Sequence, residues 1–107
     1  MKEDEVDKDN YPTKGELNIV RDWDFGKRSV EEFLQFIELN WNYADIGYYE
    51  LSGKKVLRLR LSTGGWSGNE SMINAIQDNF TFWMICWEKS VRGGHYYFRI
   101  CLKFFEK

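Results

Sequence analysis

The sequence predicts an α+β domain, a two-layer sandwich in which a four-stranded, mainly antiparallel sheet carries two helices on one face, in the order α-β-β-α-β-β. Three observations predict it. Two S-x-x-E capping boxes, at Ser29–Glu32 and Ser67–Glu70, each precede apolar residues at helical spacing. Leu57, Leu59 and Leu61 alternate with Arg58 and Arg60, as in a strand with one wet face. Gly93-Gly94 divides two aromatic-rich runs and suits a tight hairpin turn.

The elements follow in order. After Ser29, the apolar positions Val30, Phe33, Leu34, Ile37 and Trp41 predict a helix over about 29–42. Ile46 and Tyr48, a turn at Ser52-Gly53-Lys54, and the Leu/Arg alternation predict the first hairpin. Its expected register sets Ile46 and Tyr48 beside Leu61 and Leu59, with Tyr49 beside Arg58 and Gly47 beside Arg60 on the wet face. Met72, Ile73, Ile76 and Phe80 predict a second helix over about 69–79. The last hairpin pairs strands over 80–90 and 95–105, with Glu88 expected opposite Arg99, Cys86 opposite Cys101, and Trp87 opposite Ile100.

Length and charge bound the rest. A chain of 107 residues has room for one core. Residues 1–13 are expected to be an acidic, flexible terminus and residues 14–107 the single domain. The first ten residues hold five Asp/Glu against two Lys. Taking these from the chain's 15 Lys/Arg and 17 Asp/Glu leaves 13 against 12, so bulk charge does not mark a nucleic-acid binder. No apolar run is long enough to span a bilayer, and a cytoplasmic location is expected. One His and two Cys without a CxxC spacing supply no zinc signature, and no metal or other cofactor is expected. Aromatic residues form 18% of the chain, a surplus that leaves a homo-oligomer open.

Two segments carry chemistry. Thr63-Gly64-Gly65-Trp66-Ser67-Gly68-Asn69-Glu70 sits at a strand end and a helix start, where backbone N–H groups and two hydroxyls can meet an anion. It is neither a Walker A nor a G-x-G-x-x-G loop. Glu70 competes with an anion for the helix N–H groups, and a tight turn with Trp66 folded over the core is the plain structural alternative. The hairpin tip supplies Arg92, His95 and Tyr97, a forked donor, an imidazole and a stacking face. Tyr97 and Arg99 are expected to share the wet face with Arg58, Arg60 and Tyr49, a surface suited to a nucleotide or single strand, or simply a solvated sheet face.

With a single imidazole and no nucleophile-elbow sequence, binding or sequestration is more economical than turnover. The run Ser62–Glu70, followed by Phe82-Trp83, Trp87 and Arg92–Phe98, resembles a group of small phage and prophage proteins over about residues 55–105. That resemblance implies a viral or prophage origin and a host-cytoplasm setting, in which a function against host defence is plausible. The expected ligand is a small anion such as a nucleotide or cyclic nucleotide signal. The alternatives are a host protein gripped by Trp66 and the hairpin tip, and RNA or single-stranded DNA on the arginine face.

Overall fold

Thr13 starts the first helix by the same reciprocal contact that the sequence announces at Ser29. Its hydroxyl accepts from Glu16 N at 3.1 Å while the Glu16 carboxylate accepts from Thr13 N at 2.8 Å, giving α1 (Lys14–Arg21). This computed structural model describes residues 11–106, so the acidic stretch 1–10 lies outside the described residues. The Ser29–Glu32 box opens α2 (Val30–Leu39), with Glu32 N to Ser29 Oγ at 3.0 Å. The helix stops at Leu39 instead of 42 because Asn40 leaves helical geometry and its amide donates back to the Phe36 carbonyl at 2.9 Å.

After α2 the chain forms β1 (Tyr49–Gly53), β2 (Val56–Ser62), α3 (Ser67–Asp78), α4 (Phe80–Cys86), β3 (Trp87–Val91) and β4 (His95–Cys101). The protein is therefore α+β with a four-stranded sheet, ordered β1-β2-β4-β3 and antiparallel at every pairing. Two short helices, α1 and α4, join the two expected ones.

Three details differ from the sequence expectation. The first hairpin is shifted by three residues, pairing Tyr49 with Leu61 and Glu50 with Arg60. A 3-10 turn at Ala44–Ile46, flanked by positive φ at Tyr43 and Gly47, removes Ile46 and Gly47 from the strand. An odd shift turns each side chain to the other face. Tyr49 is thus buried, its hydroxyl donating to the Leu34 carbonyl at 3.0 Å, and Glu50 takes its place on the wet face.

Residues 80–86 are helical, not extended. Asn79 is 4% exposed and holds three partners: its Oδ1 accepts from Phe82 N at 3.2 Å, and its Nδ2 donates to the carbonyls of Val20 at 2.9 Å and Trp23 at 3.3 Å. This anchor between helices caps α4 and overrides the β-propensity of Phe-Thr-Phe-Trp. The last hairpin therefore closes as Val91 opposite His95 and Trp87 opposite Phe98, with a bulge between Trp87 and Lys89. Glu88 meets Arg58 instead of Arg99, and Cys86 does not pair with Cys101 across the ladder.

Helix α3 begins without the expected second capping box. Trp66 is its N-cap, so Ser67 already stands inside the helix, where its hydroxyl contacts the Tyr11 hydroxyl.

One face of the sheet supplies Tyr49, Leu57, Leu59, Leu61, Phe98 and Ile100 to the core. Phe82 is its hinge, 4.8 Å from the Phe33 ring and 5.5 Å from Phe98, which ties α2, α4 and the sheet together. The opposite face carries Glu50, Ser52, Arg58, Arg60, Tyr97 and Arg99, each at least partly exposed. No helix among the described residues is long and apolar enough to cross a membrane.

Candidate functional site

The glycine loop and the hairpin tip are neighbours because β2 and β4 are paired at their ends. Ser62 stands opposite His95, Thr63 N donates to the Gly94 carbonyl at 2.9 Å, and Ser62 Oγ lies 2.8 Å from His95 Nδ1. Both segments therefore border one opening, a cleft of about 330 Å³ lined by Tyr48, Glu50, Arg60, Ser62, Gly64 and His95.

Two glycines of the loop and one of the hairpin tip answer to packing. A Cβ on Gly64 would lie 2.2 Å from Tyr48 Cε2, one on Gly68 2.8 Å from Trp66 Nε1, and one on Gly94 2.2 Å from Thr63 Oγ1. Each glycine makes room for a side chain already in place. Gly65 differs, with φ +74° and open space around its Cβ position, so backbone conformation alone explains it.

The other loop residues are also occupied by the fold. Trp66 is half-buried between Tyr11, at 5.1 Å between ring centroids, and Tyr43, at 6.4 Å. Its indole N–H is buried with no acceptor among the described residues. Asn69 is fully buried and closes on the backbone of Asn42, accepting from N at 2.9 Å and donating to O at 3.1 Å. Thr63 is buried and accepts from Gly65 N at 3.3 Å, while Glu70 faces solvent. The loop positions the cleft more than it lines it.

The wet face of the sheet is where free chemistry gathers. Arg58 and Arg99 are directly opposite each other on the two central strands, and Arg60 is opposite Tyr97. Arg60 is held in place, with Nη2 2.9 Å from Glu50 Oε1 and 3.1 Å from the Gly47 carbonyl. Arg58 reaches Glu88 at 3.8 Å, a loose and exposed contact. No carboxylate partner of Arg99 or Arg92 occurs among the described residues. Lys89 Nζ lies over the Tyr97 ring at 4.9 Å, which brings a further cation to this face. Glu50, Ser52, Arg58, Arg60, Glu88 and Tyr97 border a second open groove of about 280 Å³. It shares Glu50 and Arg60 with the cleft at His95.

Of the residues singled out from sequence, His95, Tyr97 and Arg99 stand on this face and Gly64 on its rim, whereas Trp66, Ser67 and Asn69 are engaged elsewhere. Arg92 is exposed on the hairpin tip. The sequence already set Arg58 and Arg60 on this face, whereas Glu50, Ser62 and Lys89 carried no binding expectation. The Leu/Arg alternation signalled the arginines, but Glu50 and Ser62 needed the register.

Chemically, the face offers forked cationic donors, an imidazole and an aromatic plane. His95 pairs with a hydroxyl through Nδ1, but Ser62 is only 5% exposed and no partner orients Nε2 among the described residues. That arrangement lacks the oriented base of a Ser/His nucleophile. No cluster of three or more His, Cys, Asp or Glu side chains suited to a metal occurs among the described residues. Comparison with known protein families, curated proteins and solved structures found no match to this chain.

Proposed function

We propose that this domain is a binding module for a phosphate-bearing ligand with a planar ring, of the nucleotide type, taken up on the open face of the sheet. The observation that carries the reading is the placement of Arg58 directly opposite Arg99. Like charges at opposing positions of a ladder are unfavourable, and an anion bound between them removes the cost. Tyr97 supplies the plane on which a base can stack, and Lys89, now over that ring, can turn to phosphate. His95 and Arg60 extend the donors into the adjoining cleft.

A second reading is supported by the wall that the cleft and the groove share at Glu50 and Arg60. Two adjoining openings suit two successive nucleotide units, so a short RNA or DNA single strand is the alternative ligand. A host protein gripped by Trp66 is less well supported, because that ring is wedged between Tyr11 and Tyr43. If the ligand is a signalling nucleotide, holding it without turnover would withdraw it from host defence.

Titration calorimetry with cyclic, linear and oligomeric nucleotides tests the proposal. The expected result is binding that Arg99→Gln weakens and that depends on salt, shallowly for a mononucleotide and steeply for a strand. Silence across all three classes ends the reading.

A further inference from the structure

The solvent side of α4 is apolar where a surface helix is ordinarily charged. Residues 80–87 read Phe-Thr-Phe-Trp-Met-Ile-Cys-Trp, without a single charge. Phe82 and Cys86 point into the core. Helical geometry then groups Phe80, Thr81, Met84 and Ile85 on the outer side. Phe80 is 72% exposed, Met84 66% and Ile85 45%. Trp87, 41% exposed, stacks on Trp83 at 5.7 Å and carries the apolar surface to β3, an edge strand whose residues are all exposed.

We propose that this surface joins two copies of the chain in a two-fold dimer. Its size fits. Taking about 200 Å² for each large side chain, the exposed fractions of Phe80, Met84, Ile85 and Trp87 amount to roughly 450 Å² of apolar surface. A stable interface covers about 800 Å² per partner, with an apolar core inside a polar rim, so the patch supplies that core.

Its chemistry favours a second copy over a foreign chain. Identical surfaces meeting about a two-fold axis repel if charged, and residues 80–87 carry no charge. An antiparallel pair of α4 helices sets Phe80 of one copy on Met84 of the other, ring against thioether, twice. A partner recognised by charge would find nothing here to pair with. Because α4 packs on the core side of the sheet, the dimer leaves both arginine faces outward. Pairing through α4 is thus independent of which ligand that face takes.

Sedimentation equilibrium of the full chain over micromolar concentrations provides the test. The expected mass is twice 12.9 kDa. Met84→Lys and Phe80→Glu should each raise the dimer dissociation constant more than about tenfold, with the circular dichroism spectrum unchanged and the melting temperature no longer rising with protein concentration. Both side chains are exposed, and if one variant fails to fold the other carries the test. A wild-type chain that stays at 12.9 kDa, or a dimer that neither substitution weakens, overturns the inference. A monomer that floats with neutral phospholipid vesicles also overturns it, assigning the patch to a lipid surface.

Discussion

Replacing Gly64 by Ala separates a glycine kept for packing from one kept for a ligand. Gly64 has φ +60°, and the added Cβ would fall 2.2 Å from Tyr48 Cε2 and 3.0 Å from Cζ. Left-handed backbone costs a residue with a Cβ about 1–2 kcal/mol. Forcing the Tyr48 ring aside adds about 1–3 kcal/mol, the usual range for overpacking. The total is about 2–5 kcal/mol, a drop in melting temperature of roughly 10 °C or more for a domain of this size. Gly65 is the internal control, since it has φ +74° but no atom within 4 Å of its Cβ position. Gly65→Ala should cost only the backbone part, about 1–2 kcal/mol. Urea denaturation of both variants at constant m-value reads the difference directly. In a Tyr48→Ala background the two substitutions should become equal, because the clash is gone. Equal losses in the wild-type background would refute the packing account, and unchanged stability with lost nucleotide binding would return the glycine to the ligand.

Three more outcomes follow from the same structure. Asn69→Ala, which removes both contacts to the Asn42 backbone from a fully buried site, should cost about 2–3 kcal/mol by chemical denaturation. Burial, and secondarily the charge of Cys101, push the Cys86 thiol from an ordinary 9.0 up to about 12. Its folded pKa lies above the unfolded one, so its stabilising contribution is complete below pH 9 and falls as pH rises toward 12, by about 1.4 kcal/mol per unit. Cys86→Ala should flatten the stability profile between pH 9 and 10. Above that range the Tyr49 phenol, raised by burial and then by Glu38, adds a slope of the same sign. Arg99→Gln should weaken a bound nucleotide by about tenfold and reduce the salt slope by about one.

Much of the fold was legible from local pattern. The Ser29–Glu32 box, the Leu/Arg alternation of β2 and the glycines between β3 and β4 all lie where the sequence places them. Helix α1 was signalled only by its cap, Thr13-x-x-Glu16 at the spacing of the box at Ser29, and its short apolar stripe of Leu17 and Val20 was too brief to predict a helix there. Helix α4 was not legible. Phe-Thr-Phe-Trp favours a strand locally, and it is Asn79, tied by two hydrogen bonds to carbonyls nearly sixty positions upstream and by a third to Phe82 N, that makes it a helix.

The same division holds at the candidate site. Alternation along β2 and β4 alone puts Arg58 and Arg60 on one face of their strand and Tyr97 and Arg99 on one face of theirs, because a pleated strand leaves no choice. Which strands adjoin, and in which register, is a long-range matter: pairing β2 with β4 sets Arg58 against Arg99 and Ser62 against His95, and the shift in the first hairpin exchanges Tyr49 for Glu50. Period-two patterning records which side of a strand is wet, whereas the neighbour across the ladder is selected by how whole elements pack, and that selection is stored in the core contacts of Phe33, Phe82 and Phe98.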